Sequence, residues 1–368
     1  YHPKPKDLND RVSEYFRTRP SRPKDTAYLR AVLNTRKAFT LPRPVKVYHV
    51  NDAIRHYQHP DRSPGLPYIK YGFKRKDEID PQIIKQSVHN MKYKIWNKCR
   101  TPCNAVGKSG LHPEDPKYRL IWVYPSHMTF AEGMFAMPLI NAYNSLTKHR
   151  YGIWLRFQLG HMRYMRSIKP STFTWLGADF SMFDATIPPW LIRDAFDILR
   201  DNLNFSEYMF HGKPTHTSSL PNLWKCIMDY FINTPIRLPD GQIRVKSAGI
   251  PSGSYFTNLI GSVCNSIIME YLLRETPYSR DAFWVLGDDV LVAVSKRVCV
   301  NTLAATAENV FGVKLNTDKT EISEFPTFLG FRLTTTGVPG SNYDRLIAQL
   351  VLPSRPDRNI QEFASRIR

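Results

Sequence analysis

One stretch of the chain decides its fold: Ala282-Phe-Trp-Val-Leu-Gly-Asp-Asp-Val-Leu-Val-Ala-Val294. Two runs rich in β-branched and aromatic residues flank a tight Gly-Asp-Asp link, which predicts a β-hairpin that lifts Asp288 and Asp289 out of a buried sheet. Carboxylates at the edge of an apolar sheet are costly to desolvate, so they are solvated, paired, or used to hold a hard cation such as magnesium. An ordinary surface turn is the alternative, and the pair alone does not exclude it.

Composition and charge limit the classes of protein. The chain has 368 residues, of which 42% are hydrophobic, enough for one large domain or two to three lobes. Its formal net charge of +19 exceeds what solubility needs and favours a polyanionic partner, above all nucleic acid, with a membrane surface as the other candidate. The sequence contains neither a run of about eighteen apolar residues nor a signal segment, so it predicts no membrane span and no secretion.

The cysteines predict no disulfide framework. Five of them lie scattered at positions 99, 103, 226, 264 and 299, and this odd number fits a reducing compartment. Cys99 and Cys103, with His112 nearby, are a candidate for part of a zinc site, but no second ligand pair follows at a usual spacing. Cys264 and Cys299 lie in apolar or partly apolar stretches and are predicted to be core residues.

The chain divides into three stretches. Residues 1 to about 110 are rich in proline, lysine, arginine and tyrosine, which predicts an extended, basic lobe of short elements joined by turns. A strand is predicted over 118–124 and a helix through Phe130 to Ile140. From residue 171 onward, strands alternate with helices, which indicates an α+β or α/β core.

A further pair of aspartates lies on a strand–helix unit. The segment Thr172–Phe180 reads as a strand, and Pro188-Pro189 starts a helix. Asp179 therefore lies at the strand's end and Asp184 in the turn beyond it, where catalytic carboxylates often emerge. The alternative is one exposed aspartate and one that caps a helix.

A long helix follows a glycine-rich entry over 248–254. Its apolar stripe, from Phe256 to Leu272, is predicted to pack on a sheet. Thr257, Gly261 and Asn265 follow one another at four-residue steps on the other side. Small and polar residues in line either admit a sugar or backbone or form a close helix contact, and this helix alone does not separate the two.

Together these segments resemble one family. Their order and approximate spacing resemble the palm motifs of viral RNA-dependent RNA polymerases: Asp179 and Asp184 as motif A, Ser252-Gly253 with Thr257 as motif B, and Gly287-Asp288-Asp289 as motif C. Other segments resemble further motifs of the family: Lys117-Tyr118-Arg119 motif F, Ser63-Pro64-Gly65-Leu66-Pro67 motif G, Lys319-Thr320 motif D and Phe328-Leu329-Gly330 motif E. The resemblance covers about residues 60–335 and is strongest to polymerases of partitiviruses, with those of picobirnaviruses as near neighbours.

The resemblance implies an α+β, right-hand fold whose antiparallel palm sheet is flanked by helices. Fingers with an N-terminal basic extension are expected over 1–170 and a palm carrying motifs A to E over 171–335. The start of a thumb, or a C-terminal remnant, is expected over 336–368.

The resemblance also implies a two-metal nucleotidyl transfer. Two Mg²⁺ ions, for which Mn²⁺ can substitute, are expected on Asp179 and Asp288, with Asp289 assisting. Lys319 is expected to supply a proton to the leaving pyrophosphate. A solvated surface charge is the alternative for this lysine and for the other lysines.

Further residues are expected to bind substrate or template. Asp184, Ser252, Gly253, Thr257 and Asn265 are expected near the nucleotide and its 2′-hydroxyl, Arg119, Lys117 and Lys108 on the triphosphate or base, and Ser63 and Gly65 on the template. The chain departs from the commonest family pattern, because Gly261 stands where many members have asparagine. This departure puts the role of Asn265 in doubt.

The predicted function is RNA-templated RNA synthesis, the genome replication and transcription of a double-stranded RNA virus. The expected partners are the RNA template and product duplex, ribonucleoside triphosphates and a viral capsid protein, without a membrane, in the virion interior and host cytoplasm. A reverse transcriptase is the second reading, although Leu286-Gly287 replaces the Tyr-x that precedes the paired aspartates in those enzymes. A non-catalytic, basic RNA-binding or capsid-lining protein is the third.

Overall fold

The computed structural model describes residues 5–93, 101–109, 118–295, 297–340, 343–351, 357 and 359–367. Its helices are α1 (Pro5–Ser13), α2 (Thr26–Phe39), α3 (Val50–Arg55), α4 (Pro81–Lys92), α5 (Ser126–Ser145), α6 (His161–Ile168), α7 (Phe183–Thr186), α8 (Pro189–Arg200), α9 (Ser219–Ile232), α10 (Thr257–Leu272), α11 (Val300–Phe311), α12 (Tyr343–Val351) and α13 (Ile360–Ile367). Its strands are β1 (Val45–Val47), β2 (Cys103–Ser109), β3 (Tyr118–Val123), β4 (Thr174–Ala178), β5 (Phe180–Ser181), β6 (Leu203–Tyr208), β7 (Pro235–Arg237), β8 (Ile243–Val245), β9 (Tyr278–Leu286), β10 (Asp289–Val294), β11 (Lys314–Leu315), β12 (Glu321–Ser323), β13 (Thr327–Phe328) and β14 (Phe331–Arg332).

The central sheet is antiparallel, with strand order β12-β4-β10-β9. Its two inner strands, β4 and β10, are buried on both sides almost throughout, and successive side chains point to opposite faces. One face, including Leu176, Val290 and Val292, packs into the main core. The other face, including Trp175 and Trp284, packs into a second core that contains methionines of α6. The predicted antiparallel sheet flanked by helices is therefore present.

Helix α10 is buried on almost all sides. It packs on β9 of the sheet and on α2, α8 and α11. The sequence predicts a single apolar stripe, but the structure also buries Ser262, Asn265, Ser266 and Glu270 on the polar side. A helix enclosed in this way must satisfy its polar groups inside the protein, and these residues are consequently placed to form specific hydrogen bonds.

The N-terminal stretch is folded onto the core. Asp25 caps α2 by accepting a hydrogen bond from the backbone N of Tyr28 at 2.7 Å. Tyr28 and Phe39 of α2 are fully buried, and the helix packs along α10. The prediction of an extended lobe is wrong for this part of the chain, because the apolar residues of α2 have a helical partner to pack on.

A second sheet has the strand order β3-β2-β7-β8, so strands from residues 103–123 pair with strands from residues 235–245. The predicted strand over 118–124 corresponds to β3, and the predicted helix lies within α5. The boundaries at residues 170 and 335 between fingers, palm and thumb stay a prediction. Among the described residues, no helix combines the length and apolar character needed to span a membrane.

Candidate active site

The predicted hairpin is formed by β9 and β10. Leu286 and Asp289 are paired across it, so Gly287 and Asp288 form a two-residue turn. Gly287 has a φ of +64°, a conformation that glycine adopts without the strain that a side chain imposes. Asp288 and Asp289 are both exposed at the tip, whereas Val290, the next residue, is buried. The predicted hairpin with two carboxylates at the edge of a buried sheet is confirmed.

Strand β4 brings Asp179 to the same edge. Ala178 pairs with Val290, so one further step along the ladder sets Asp179 opposite Asp289. Although the side chain of Asp289 reaches solvent, the surrounding protein excludes much of the bulk water from it; this desolvation, followed by the negative charges of Asp288 and Asp179, raises the pKa of Asp289 to about 6. The three carboxylates of motifs A and C therefore lie within electrostatic reach of one another.

Asp184 lies close to this group. Its side chain is accessible to solvent, but the surrounding protein excludes much of the bulk water from it. This desolvation, and then the charge of Asp288, raises the pKa of Asp184 to about 7, and the charge of Arg119 acts in the opposite direction. The structure thus brings together an aspartate of motif A, an aspartate of motif C and the arginine of motif F.

Helix α10 holds the hairpin in place. The side-chain amide of Asn265 donates hydrogen bonds to the carbonyl oxygens of Gly287 at 3.0 Å and Asp288 at 2.9 Å. Ser262 accepts one from the backbone N of Gly287 at 2.7 Å. Asn265 is fully buried, so it cannot touch a nucleotide in this conformation. The structure shows a positioning role for the aspartate turn, and the predicted sugar contact stays a prediction that would require the turn or the helix to move.

Gly261 lies where α10 approaches the same turn. A Cβ atom added to Gly261 would lie 3.6 Å from the Cα atom of Gly287. Helix α10 thus contacts the hairpin at Gly261 at an ordinary packing distance, and the interpretation that its small and polar residues admit a sugar stays open.

The motif B loop is joined to strand β3 of the second sheet. The Ser252 hydroxyl accepts a hydrogen bond from the backbone N of Trp122 at 3.2 Å and contacts the carbonyl oxygen of Leu120 at 3.3 Å. A Cβ atom at Gly253 would lie 1.8 Å from the carbonyl oxygen of Trp122, so no side chain fits there. The predicted nucleotide-binding segment thus also joins the two sheets.

Thr257 is engaged within the same loop. Its hydroxyl contacts the carbonyl oxygens of Pro251 at 2.7 Å and Ser254 at 2.8 Å. A hydroxyl has one proton to donate, and Thr257 already uses it within the loop. The predicted contact of Thr257 with a ribose would therefore require this hydroxyl to accept a hydrogen bond from the ribose or to change its partner, and it stays a prediction.

Of the three lysines predicted to act on the nucleotide, the structure describes Lys108 and Lys319. Lys108 pairs with Arg119 across β2 and β3, and both side chains are exposed. Lys319 is exposed immediately before β12, and its neighbour Thr320 accepts a hydrogen bond from the backbone N of Asp179 at 3.3 Å. Lys117 lies outside the described residues.

The motif G loop packs against the start of α5. Gly65 is buried with a φ of +71°, and a Cβ atom there would lie 2.3 Å from the carbonyl oxygen of Tyr124. The hydroxyl of Ser126 donates to the carbonyl oxygen of Pro64 at 2.7 Å. Gly65 thus has a packing role in this structure, Ser63 is the exposed member of the pair, and the template contacts of both stay predictions.

Two buried charged residues that sequence reasoning missed support the motif B loop. Glu132 accepts hydrogen bonds from the hydroxyl of Ser254 at 2.7 Å and the backbone N of Tyr255 at 2.8 Å, and burial raises its pKa to about 8. Lys246 donates to the carbonyl oxygen of Gly249 at 2.6 Å, and burial lowers its pKa to about 7. The signal for Glu132 was a glutamate within a predicted apolar helix.

The aspartates fit magnesium in their chemistry, because this ion takes hard oxygen ligands and would relieve the repulsion that, after desolvation, contributes to the raised pKa of Asp289. Across the described part of the chain, however, no three His, Cys, Asp or Glu side chains converge into a finished metal site. Electrostatic repulsion acts over longer distances than metal coordination, so these carboxylates affect one another's pKa without lying close enough together to share an ion.

The zinc alternative stays a prediction, because only one of its three candidate ligands lies in the part of the chain that the structure describes. Cys103 is buried in β2, with its sulfur 3.6 Å from the hydroxyl of Tyr230. Cys99 and His112 lie outside the described residues. Cys264 is a buried core residue as predicted, whereas Cys299 is exposed at the start of α11, so its predicted core position is wrong.

The family profile described as viral RNA-dependent RNA polymerase matches residues 4–355. The chain therefore belongs to the family of viral RNA-dependent RNA polymerases.

Two curated relatives carry the same assignment. The chain is 30% identical over 295 residues to the RNA-directed RNA polymerase of Cryptosporidium parvum virus 1, and this match covers 72% of this chain and 53% of the relative. The chain is also 27% identical over 241 residues to the RNA-directed RNA polymerase of White clover cryptic virus 1, and this match covers 56% of this chain and 38% of the relative. The matches thus span about half or less of these relatives' length.

A solved structure agrees with the fold. The chain is similar to the crystal structure of the RNA-dependent RNA polymerase of a human picobirnavirus, with a TM-score of 0.75 and 17% identity over 98% of this chain and 70% of that one. The right-hand fold predicted from the motifs is confirmed, as is the resemblance to partitivirus-like and picobirnavirus polymerases.

Proposed function

We propose that this chain copies an RNA template into RNA, as part of the replication and transcription of the genome of a double-stranded RNA virus. One observation carries the proposal: Asp179, Asp288 and Asp289 share one sheet edge, with the ribose-sensing candidate Asp184 and the phosphate-binding candidate Arg119 beside them. A metal-binding hairpin alone would need neither of the last two residues.

The proposed cofactor is a pair of Mg²⁺ ions, replaceable by Mn²⁺, held by Asp179 and Asp288 with help from Asp289. When bound, such ions stabilise the attacking 3′ oxygen and the departing pyrophosphate of an in-line displacement. The raised pKa of Asp289 supports this use of the aspartates, because repulsion between carboxylates favours cation binding.

The chain's own residues orient the nucleotide. Arg119 and Lys108, neighbours across one ladder, bind the triphosphate by charge and hydrogen bonding, and Lys117 is proposed to act with them. Lys319 donates a proton to the leaving pyrophosphate. Asp184 recognises the ribose 2′-hydroxyl, and its raised pKa lets the carboxyl serve as either donor or acceptor near neutral pH.

The remaining basic charge is proposed to bind the template and product duplex through their phosphates. Family membership favours this reading over a reverse transcriptase. It also weighs against a non-catalytic RNA-binding or capsid-lining protein, which requires no cluster of aspartates. Association with a capsid protein, and a place in the virion interior and host cytoplasm, rest on the resemblance to polymerases of double-stranded RNA viruses.

RNA synthesis tests the proposal. The purified chain is incubated with a short RNA, Mg²⁺ and four ribonucleotides, with and without primer. Asp288→Ala is expected to lower the rate at least about 10³-fold, because several kcal/mol of transition-state stabilisation is lost. Asp281→Ala removes an equally exposed carboxylate from β9 and should retain the parental rate. The proposal is wrong if Asp288→Ala synthesises RNA at the parental rate, or if the parent is inactive with both Mg²⁺ and Mn²⁺.

The same assay tests the role of Asp184. Asp184→Ala is expected to lower the preference for ribonucleotides over deoxyribonucleotides by about tenfold or more, because a lost hydrogen bond to the 2′-hydroxyl affects only the ribonucleotide. An unchanged preference would remove this assignment and leave the proposed polymerase activity intact.

A further inference from the structure

A pocket of about 490 Å³ lies outside the candidate active site, between α3, α4, β6 and the start of α9. Its lining, which we call the basic pocket, comprises His49, Val50, Asn51, Gln82, Lys85, Gln86, Val88, His89, Lys92, Tyr93, Tyr208, His211, Lys213, Pro214, Thr215 and Ser219. None of the aspartates of the candidate active site belongs to this lining, so the polymerase site does not account for it.

The charge of the basic pocket has one sign. Its sixteen lining residues include three lysines and three histidines, and none is an aspartate or glutamate. Asp52, a buried carboxylate, lies behind the lining and contacts the Nε2 atom of His211 at 2.9 Å. Lys85, Lys92 and Lys213 thus converge on one polar cavity without an acidic residue in its wall.

Lys92 differs from most lysines in proteins because its side chain is buried. Only 8% of it is exposed, and its Nζ atom donates a hydrogen bond to the hydroxyl of Tyr208 at 2.8 Å. Burial lowers its pKa to about 8, so most of the amine remains charged at neutral pH. An ammonium has three protons to donate, and a buried cation gains most from an anionic acceptor.

His49 adds an uncharged donor. Its Nδ1 atom accepts a hydrogen bond from the backbone N of Asn51 at 3.3 Å, so the neutral ring carries its proton on Nε2. Burial, followed by the charges of Lys92, His211 and Lys85, lowers the pKa of His49 to about 4, which keeps the ring neutral near pH 7. The ring packs edge-on against Tyr208, with centroids 5.2 Å apart.

We propose that the basic pocket binds a phosphate group, carried either by an RNA strand or by a free polyphosphate such as a nucleoside triphosphate. Three lysines and a neutral imidazole are the donors that such an oxyanion recognises, and the lining itself contains no carboxylate. Two carboxylates lie next to the lining: Asp52 contacts His211, and Glu207 of β6 lies within electrostatic reach of Lys213. The pocket is wide enough for more than one phosphate. A solvated basic surface explains Lys85 and Lys213 but not the burial of Lys92.

A charge-matched pair of variants tests the proposal. Lys85→Ala/Lys213→Ala removes two lysines from the rim of the basic pocket. Lys24→Ala/Lys37→Ala removes two exposed lysines at α2, which packs on α10 and α8 instead, and serves as the control. The probes are inorganic tripolyphosphate, followed by calorimetry, and 3′-labelled single-stranded RNA with a 5′-hydroxyl or 5′-triphosphate, followed by fluorescence anisotropy.

We expect the pocket variant to bind at least one probe about tenfold or more weakly than the control, because two charge-assisted contacts are lost. Weaker tripolyphosphate binding identifies a free polyphosphate as the ligand. Weaker binding of both RNAs alone identifies strand phosphates, and weaker binding of the triphosphorylated RNA alone identifies an RNA 5′ end. The proposal is overturned if the pocket and control variants bind every probe equally.

Lys92→Met provides a second measurement, because it keeps the length of the buried chain and removes the charge. It should weaken the same probe at least as much as the double variant does, provided that its melting temperature confirms a folded protein. A folded Lys92→Met protein with parental affinity for all probes would also overturn the proposal. Neither result depends on polymerase activity, so failure here is distinguishable from failure of the proposed function.

Discussion

The first half of helix α10 supports carboxylates that repel one another, whereas its second half carries a carboxylate that is paired with an arginine. Near its start and middle, the helix supports a turn whose aspartates are exposed and repel one another. Near its end, Glu270 forms a buried ion pair with Arg150 and accepts a hydrogen bond from Asn34 at 2.9 Å. Tyr278 donates a further hydrogen bond to the same carboxylate.

The end of α10 at Glu270 contributes to stability, whereas the part that supports the aspartate turn serves the candidate active site. Carboxylates that repel one another cost folding free energy, and such costs collect at functional sites. The paired end satisfies its charges within the protein, as buried charges require. Ser266, next to Asn265 on the helix, contacts Arg150 at 3.3 Å, so adjacent residues of one helix serve the two ends.

The largest expected effect on stability comes from breaking the paired end. Glu270→Gln should lower the free energy of unfolding by about 3–5 kcal/mol, because it leaves Arg150 buried without a counter-charge. Urea denaturation measures this change. The double variant Arg150→Met/Glu270→Leu should recover much of the loss, because it removes both charges together. A loss below about 1 kcal/mol for the single variant would mean that the pair is not buried in solution.

The next effect comes from releasing the turn at the functional end. Asn265→Ala should cost about 1–3 kcal/mol of stability, because it leaves buried carbonyl groups of the turn without their donor. RNA synthesis should fall more than nucleotide affinity does, because the aspartates lose their position. Asn301→Ala, an exposed position on α11, is the matched control. Loss of ribose preference with the rate unchanged would instead indicate a direct sugar contact.

A smaller effect is expected where the helix approaches the turn. Gly261→Ala should stabilise the protein by about 0.5–1 kcal/mol, because alanine favours the helix and its Cβ atom would have only ordinary contacts, 3.6 Å or longer. Gly253→Ala is the opposite case, since its Cβ atom would lie 1.8 Å from the carbonyl oxygen of Trp122. Thermal melting compares the two. Destabilisation by Gly261→Ala would show a tighter contact than the structure has.

The smallest effect concerns pH. The pKa values of Asp184 and Asp289 are raised to about 7 and about 6, so the folded state binds their protons more tightly than the unfolded chain does. Their ionisation therefore destabilises the protein as pH rises from about 4 to 7. Because both side chains are exposed, the expected change is less than about 1 kcal/mol.

Melting curves in chelator measure this effect. Between pH 5 and pH 8, the parent should lose more stability than Asp184→Asn/Asp289→Asn, which lacks both titrating groups. Parallel curves for the two proteins would contradict the raised pKa values of Asp184 and Asp289, which desolvation and then carboxylate repulsion cause.

Local patterns predicted much of the candidate site. The hairpin around Gly287 and the strand that ends at Asp179 were predicted correctly, because turn chemistry and alternating apolar runs act over a few residues. The polar side of α10 was not, because a polar residue on a helix reads as exposed until its partner is known. Gly65 and Asn265 resembled ligand contacts and proved to be buried.

The sequence by itself determined the order of the carboxylates, the hairpin, the excess of positive charge and the family resemblance, because these depend on residue types and short spacings. The tertiary structure decided what each polar group faces. Asn265 holds a turn, Glu132 supports the motif B loop, and Lys92 lies buried in a pocket without acidic residues in its wall. The physical reason is that hydrogen bonds, desolvation and charge coupling depend on distances between segments far apart in the chain, which no local pattern contains.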